Sequence, residues 1–227
     1  MRAIGYFQSL PIHAAESLVD IELPIPTATG HDLLVRVEAI AANPVDYKIR
    51  KNRAPQADKA EVLGWDAAGT VVAVGELVSL FKVGDPVFYA GALNRPGANS
   101  EFHLVDERLV GAKPHNLSFA DAAALPLTAI TAWELLFDRL QLDLASPQFQ
   151  QKVLLVSGAA GGVGSVLLQL ARQKTDAFII GTASRPESQA WVQQMGAHAV
   201  INHQLPLAEE LARLGIKQVS HVVSLVD

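Results

Sequence analysis

The segment from Val153 to Ala171 constrains the fold of this chain more than any other part of its 227 residues. An apolar run, VLLV, ends in a loop of small residues, SGAAGGVG, and an apolar helical pattern follows directly. This succession predicts a β-strand, a tight turn and an α-helix, the setting in which a glycine-rich loop binds a dinucleotide. The loop is a variant of G-x-G-x-x-G, because Ala159 takes the first position and Gly161 and Gly164 the other two.

The positions of this loop have separate expected roles. Gly161 would let the backbone approach a pyrophosphate, and Gly164 would let the helix pack closely on the strand. Unpaired N–H groups at the start of the helix would then favour the phosphates. The loop residues expected at the cofactor are Ala160, Gly161, Gly162, Val163 and Gly164. The alternative is an ordinary strand-to-helix turn, but the matching flanks favour nucleotide binding.

Composition and charge exclude several classes of protein. Eighteen Lys and Arg against 23 Asp and Glu give a formal net charge of −5 without a basic tract, so nucleic acid is not an expected partner. No cysteine is present, which removes disulfides and thiolate metal sites. The N-terminus lacks the apolar core of a signal peptide, and we expect no apolar run of membrane-spanning length. These features predict a cytoplasmic protein without a membrane partner.

The first part of the chain is expected to form a β domain. Residues 1 to about 112 contain short apolar runs broken by turns, with alternation at 33–39 and 69–74. One short helix is expected to begin at Pro44, since proline fits the first helical position. The sequence predicts a compact, barrel-like β domain, which we place at residues 1–125.

A mainly helical region begins near the end of this domain. Ser118 and Asp121 form a capping box, and a second apolar helix is expected from Ala129 to about Leu140, beyond an interruption at Pro126. Residues 146–151 then lead into the strand that precedes the glycine loop.

Beyond the glycine loop, strands and helices alternate. Strands are expected at 177–181, at 199–201 and near 221–225, with helices at 186–195 and around 207–214. This alternation predicts an α/β fold with a doubly wound parallel sheet, which we place at residues 126–227. The pattern gives four strands where a complete fold of this type has about six, so we expect a short sheet or a chain truncated at its C-terminal end.

The end of the second strand of this sheet indicates which dinucleotide is bound. NAD enzymes tend to carry an acidic residue about 20 residues past the loop, where it binds the ribose 2′-hydroxyl. Here the stretch from Gly181 contains no acid and leads to Ser184 and Arg185. A guanidinium group matches a 2′-phosphate in charge and geometry, so the sequence predicts NADPH as the cofactor. The alternative is a solvent-facing arginine at the start of a helix.

Several short motifs follow one another in a specific order. They are NPVDYK (43–48), LGWDAAG (63–69), FKVGD (81–85), LPLTAITAW (125–133), the glycine loop and MGAHAVIN (195–202). Together they resemble the medium-chain dehydrogenase/reductase superfamily, and specifically its zinc-free quinone-oxidoreductase branch, over nearly the whole chain. The resemblance implies a GroES-like β domain followed by a Rossmann domain, with the active site between them.

The resemblance also bears on metal binding. Zinc-dependent relatives carry a cysteine where Asn43 stands and Gly-His-Glu where this chain has Gly64, Trp65 and Asp66. A catalytic zinc site needs three protein ligands, which Asp66 alone does not provide, so we expect no metal and place Trp65 in the core. A zinc-dependent alcohol dehydrogenase remains the alternative.

Catalytic roles follow from the resemblance. Asn43 and Tyr47 would face the nicotinamide and the substrate, and Asp46 would orient them. Polarising a carbonyl oxygen stabilises the enolate charge that develops as NADPH delivers hydride to a quinone or an α,β-unsaturated carbonyl compound. The alternatives are a Tyr47 hydroxyl bonded to the backbone and an Asp46 carboxylate that serves the helix dipole.

The resemblance places two further residues at the cofactor. Thr128 would lie by the nicotinamide or its ribose, with a helix cap as its alternative role. His203 stands where relatives often carry a tyrosine near the 2′-phosphate. The expected partner is a small carbonyl or quinone substrate, with a possible homodimer in the full-length form. An NADPH-binding sensor with little turnover is a further alternative.

Overall fold

The computed structural model describes residues 1–142 and 152–226, and the chain divides into two compact units, Met1–Leu127 and Thr128–Asp227. The predicted lead-in at 146–151 lies outside the described residues.

The first unit consists mainly of antiparallel strands. They are β1 (Arg2–Tyr6), β2 (Val19–Glu22), β3 (Asp32–Ala41), β4 (Glu61–Val62), β5 (Asp66–Val74), β6 (Pro86–Ala90), β7 (Phe102–Asp106) and β8 (Val110–Ala112). Five of them form a sheet in the order β7-β3-β5-β6-β8, and three form a second sheet in the order β2-β1-β4. Side chains that alternate along β3, β5 and β6 build the core of the larger sheet, including Val35, Val71 and Tyr89. Trp65 is 1% exposed and lies in a neighbouring core cluster, as expected.

Helices in this unit are short. Helix α1 (Pro44–Asn52) begins at the predicted proline, and a 3₁₀ turn (Glu107–Leu109) precedes β8. Helix α2 (Phe119–Ala123) is capped by Ser118, whose Oγ accepts a 3.1 Å hydrogen bond from the Asp121 N–H. The predicted helix start at Ser118 is therefore confirmed.

The helical region around Pro126 corrects one expectation from the sequence. Helix α3 (Pro126–Trp133) starts at the proline and continues into a π-helical segment (Glu134–Arg139). By length and composition alone, the helical stretch Phe119–Arg139 is long and apolar enough to cross a membrane. The expectation that no apolar run reaches this length was wrong. Pro126 starts a helix instead of ending one, so α2, α3 and the π-helical segment together reach that length.

The described part of the second unit contains a four-stranded parallel sheet. Its strands are β9 (Val153–Ser157), β10 (Phe178–Thr182), β11 (Ala199–Ile201) and β12 (His221–Ser224), in the order β11-β10-β9-β12. The helices between them are α4 (Gly162–Lys174), α5 (Pro186–Gln194) and α6 (Leu207–Arg213). Leu167, Leu168 and Ala171 of α4 are fully buried in one cluster with Leu154 and Ile179 of the sheet. The predicted doubly wound α/β arrangement is confirmed.

Candidate cofactor and active site

A cavity of about 390 Å³ lies at the carboxyl ends of β9 and β10 in the second unit. Its lining consists of Gly158, Ala160, Gly161, Thr182, Ala183, Ser184, Arg185, Ser188, His203, Leu225 and Val226. The strand order reverses at β9, since β10 and β11 lie on one side of it and β12 on the other. Doubly wound sheets bind their ligands at this reversal, outside the carboxyl ends of the strands.

The turn after β9 is made one residue earlier than the G-x-G-x-x-G pattern indicates. Gly158 has φ +72°, a left-handed conformation that favours glycine, and the backbone N–H of Gly161 donates to its carbonyl at 3.1 Å. Ala159, which takes the first position of the pattern, is fully buried in the core of this unit. Gly158 therefore makes the tight turn, a role that the pattern alone did not assign.

Two glycines expose the backbone at the start of α4. Gly161 is the N-cap residue of α4 and Gly162 is its first residue, and both are exposed. A Cβ atom on Gly161 would meet only the Gly158 oxygen, at 3.3 Å, and one on Gly162 would meet only Thr128 Cγ2, at 3.2 Å. The first N–H groups of a helix have no partner within the helix, so an anion can approach them here.

The rest of the loop packs against the protein. Gly164 is buried, and a Cβ atom on it would lie 2.5 Å from the Ala159 carbonyl oxygen. Val163 is partly buried against the core of this unit. The expected role of Gly164 in close packing of helix and strand agrees with this geometry.

The residues that follow β10 and β11 supply polar side chains to the cavity lining. Arg185, the exposed N-cap residue of α5, makes no ion pair with the described residues. Ser184 is partly buried and His203 is exposed, and no carboxylate is among the described residues that line the cavity. An unpaired guanidinium group without a competing carboxylate fits a phosphate-bearing ligand.

The lining also includes residues that the sequence reasoning missed. Thr182 is 3% exposed and its hydroxyl has no hydrogen-bond partner among the described residues. Ser188 Oγ donates a 2.9 Å hydrogen bond to the Arg185 carbonyl, which ties the first turn of α5 to its N-cap. Thr182 directly follows the predicted strand at 177–181, a position from which a ligand contact could have been inferred, whereas Leu225 and Val226 reach the cavity only through tertiary structure.

The predicted catalytic residues lie in the first unit, at the start of α1. Asn43 is the N-cap residue of α1, and its backbone N–H donates to Asp46 Oδ2 at 2.6 Å. The other oxygen, Asp46 Oδ1, accepts from the Gly64 N–H at 3.0 Å. Asp46 therefore joins the first turn of α1 to the segment before β5. The carboxylate thus serves the helix start, and its orienting role at an active site stays a prediction.

A buried carboxylate extends this cluster. Asp66 is fully buried, and its Oδ2 accepts a 2.8 Å hydrogen bond from Asn43 Nδ2, while its Oδ1 accepts from the Leu127 N–H at 2.8 Å. Burial raises the pKa of Asp66 to about 6, although the hydrogen bonds from Asn43 and Leu127 oppose that rise. The sequence reasoning considered Asp66 only as a metal ligand and missed its bond to Asn43.

The Tyr47 side chain, unlike those of Asn43 and Asp46, is not engaged in a hydrogen bond with the described residues. Its side chain is 56% exposed, and its hydroxyl has no hydrogen-bond partner among the described residues. The alternative role of a tyrosine bonded to the backbone is therefore not what the structure shows. Asn43 Nδ2, by contrast, is engaged by Asp66 and lies 3.4 Å from the Ala41 oxygen.

The described residues contain no group of three or more His, Cys, Asp or Glu side chains arranged to hold a metal ion. Asp66 already accepts two hydrogen bonds, and its neighbour Asn43 offers an amide in place of a thiolate. His103 is buried, with its ring nitrogens bonded to the Tyr89 hydroxyl and the Pro96 oxygen, and burial lowers its pKa to about 4. These side chains serve the protein's own hydrogen bonds.

An antiparallel β domain and a doubly wound sheet with a cavity at its strand reversal define a two-domain protein of the dinucleotide-binding class. The family model of the alcohol dehydrogenase GroES-like domain matches residues 29–125. A zinc-type alcohol dehydrogenase-like protein of Staphylococcus epidermidis is 39% identical over 228 residues, covering 100% of this chain and 67% of that protein. The chain belongs to the medium-chain dehydrogenase/reductase superfamily, which confirms the resemblance of its motifs.

Solved structures agree with this assignment. A putative zinc-dependent alcohol dehydrogenase from Rhizobium etli is 56% identical with a TM-score of 0.93, covering 99% of this chain and 65% of that one. The Escherichia coli quinone oxidoreductase, solved as a complex with NADPH, is 30% identical with a TM-score of 0.79, covering 96% of this chain and 64% of that one. The chain thus spans about 65% of the length of most of these relatives.

Proposed function

We propose that this chain belongs to an NADPH-dependent oxidoreductase that transfers hydride to quinones or α,β-unsaturated carbonyl compounds without zinc. The observation that carries the proposal is the cavity at the ends of β9 and β10, where Arg185 makes no ion pair with the described residues and no described carboxylate contributes to the lining. The quinone oxidoreductase similar to this chain was solved with NADPH, which supports the same choice of cofactor.

The residues of the second unit fit such a cofactor. Exposed backbone from Ala160 to Gly162 would hold the pyrophosphate at the start of α4, where Val163 and Gly164 complete the first turn. Ser184, Arg185 and His203 would hold the 2′-phosphate. Thr128, whose methyl group is the neighbour that a Cβ atom on Gly162 would meet, would lie by the nicotinamide or its ribose. NADPH supplies a hydride when it is bound.

The residues of the first unit would act on the substrate. The Tyr47 hydroxyl has no hydrogen-bond partner in the described part of the chain, so it would donate a hydrogen bond to a carbonyl oxygen and stabilise the charge that develops there. Asn43 was expected to share this role, but its Nδ2 donates to Asp66, which narrows the proposal to Tyr47. Asn43 and Asp46 would then position the helix that carries Tyr47.

A combined assay of binding and turnover tests the proposal. NADPH and NADH affinities are measured by calorimetry, and NADPH consumption is followed with quinones and with enones as substrates. We expect tighter binding of NADPH and consumption with at least one of the two substrate classes. Binding without consumption would favour the alternative of an NADPH-binding sensor, and equal affinities would contradict the choice of cofactor.

A zinc-dependent alcohol dehydrogenase is the second candidate, because the relatives from Staphylococcus and Rhizobium carry zinc in their names. Metal analysis of the purified chain separates the two candidates, since stoichiometric zinc would favour the zinc-dependent alcohol dehydrogenase. The proposed location is the cytoplasm, and the proposed partner is a small carbonyl or quinone substrate, with a homodimer in the full-length form.

A further inference from the structure

One buried carboxylate outside the predicted site residues holds the start of α1. Asp66 is fully buried at the beginning of β5, where the strand partners facing it are Ala41 of β3 and Ala90 of β6. Neither partner supplies a charge or a polar side chain. Burial of a carboxylate costs free energy unless it is hydrogen-bonded. The hydrogen bonds that Asp66 accepts from Asn43 and Leu127 therefore stabilise it at this buried position.

We propose that Asp66 is a positioning residue for the candidate active site: acting through the Asn43 amide, it fixes the first turn of α1 and with it Tyr47. This inference rests on the proposed function, in which Tyr47 contacts the substrate. Asn43 is the N-cap of α1, and Tyr47 lies four residues further along the chain, in the first turn and a half of the helix.

The chemistry of the Asn43 amide links the carboxylate to the helix. An ionised Asp66 accepts from Nδ2, which leaves the amide oxygen as the group turned away from it. Asn43 and Asp46 form a capping box, in which the amide oxygen is the end of the Asn43 side chain that complements the Asp46 N–H, without a formed side-chain cap bond. The carboxylate and the helix start therefore favour the same orientation of the Asn43 side chain.

Protonation of Asp66 would reverse the orientation of the Asn43 amide that Asp66 favours, whereas the helix start would still favour the original one. A protonated carboxyl group has only one full acceptor oxygen for its two donors. Because the Leu127 N–H belongs to the backbone, the Asn43 amide is the group that would reverse, so that its oxygen accepts from the carboxyl group. The nitrogen would then face the donors of the first turn. Asp46 of α1 is the charged group that acts on Asp66, and its negative charge favours protonation, as does burial.

Nuclear magnetic resonance of this chain tests the link without any need for turnover. The Asp66 ¹³Cγ signal and the Asn43 side-chain NH₂ signals, assigned from their loss in Asn43→Ala, are followed from low to neutral pH. We expect both to titrate together with a midpoint near the pKa of about 6, and the Asn43 signals to stay constant in Asp66→Asn. The control is Asn52 of the same helix, whose Nδ2 donates to the Lys48 oxygen and whose signals should not move.

Turnover provides a second reading of the same variant. The rate of NADPH oxidation should fall about tenfold for each pH unit below the Asp66 midpoint in the unsubstituted chain. This limb should be absent in Asp66→Asn, with a lower kcat and an unchanged Kd for NADPH. Constant Asn43 signals, or a titration that persists in Asp66→Asn, would overturn the positioning role. If Asp66→Asn does not fold, midpoints of Asp66 and Asn43 that differ in the unsubstituted chain would overturn it as well.

The two proposals fail separately. A joint titration of Asp66 and Asn43 without NADPH oxidation at any pH would contradict the proposed function, while the carboxylate would still be shown to orient the Asn43 amide.

Discussion

Gly164 lies against the backbone of Ala159, so that a Cβ atom at position 164 would be 2.5 Å from the Ala159 carbonyl oxygen. Real Cβ atoms do not approach a backbone oxygen this closely, and neither partner is a flexible side chain. The first turn of α4 can therefore lie directly on the end of β9 only because position 164 has no side chain. This contact places the exposed N–H groups of the helix at the cavity.

Substitution of this glycine should destabilise the second unit. Alanine improves helix propensity by about 1 kcal/mol, but overpacking against rigid backbone costs about 1–3 kcal/mol and accompanies a displaced helix. We expect Gly164→Ala to lower the Tm and to weaken NADPH binding. The matched control is Gly161→Ala, whose Cβ meets only Gly158 O and at the longer distance of 3.3 Å, so its Tm should fall much less than that of Gly164→Ala. A normal Tm for Gly164→Ala would contradict the packing argument.

Asp66 should make stability depend on pH in a direction opposite to most carboxylates. Burial raises its pKa from 3.8 to about 6, so its contribution to stability is fully present below 3.8 and is lost as pH rises through 6. Hydrogen bonds from Arg108 and Arg2 lower the pKa values of Asp106 and Glu101, respectively. The stability that these two carboxylates contribute to the folded protein is therefore lost as pH falls.

The comparison with Asp66→Asn isolates this effect, because the other carboxylates are shared by both proteins. Between low and neutral pH, the unfolding free energy of the unsubstituted chain should fall relative to Asp66→Asn by up to about 3 kcal/mol. Denaturant unfolding at several pH values measures the difference. A difference that is constant with pH, or that grows in favour of the unsubstituted chain, would show that the pKa of Asp66 is not raised.

The sequence was informative where structure is local. The alternation of strands and helices around the glycine loop predicted all four strands of the described sheet, and β11 has its predicted bounds, since hydrophobic periodicity reflects burial along one element. The start of α1 at Pro44 followed from the same kind of local preference.

Contacts between distant residues were not predictable in this way. The bond between Asn43 and Asp66 joins residues 23 positions apart, and it changes which atom of Asn43 is available. The turn at Gly158 depends on a backbone conformation that the pattern of the loop did not specify. Leu225 and Val226 reach the cavity only because β12 pairs with β9.

Tyr47 should affect turnover and leave cofactor binding unchanged. Removal of its hydroxyl in Tyr47→Phe takes away the proposed hydrogen-bond donor, and loss of one such donor to a developing oxyanion lowers rates by about 100-fold or more. The side chain is 56% exposed, so stability should not change. Steady-state rates with quinones and enones, together with the Kd for NADPH, provide the check. An unchanged rate would remove Tyr47 from the mechanism.

Removal of metal should have no effect on turnover. The residues at the zinc positions of relatives are Asn43, Trp65 and Asp66, and they offer fewer than the three ligands that such a site needs. We expect substoichiometric zinc in the purified chain and equal rates before and after dialysis against a chelator. Activity that is lost on dialysis and restored by zinc would support the alcohol dehydrogenase alternative.

The central claim, recognition of the NADPH 2′-phosphate by Arg185, is tested most directly by the affinities of NADPH and NADH for the unsubstituted chain and for Arg185→Gln. A hydrogen-bonded charge pair contributes about 1.5–3 kcal/mol, so Arg185→Gln should weaken NADPH binding by about 10- to 100-fold and leave NADH binding unchanged. Arg213→Gln, which removes an exposed arginine of α6, is the control and should change neither affinity. Equal affinities in the unsubstituted chain, or a preference for NADH, would contradict the account.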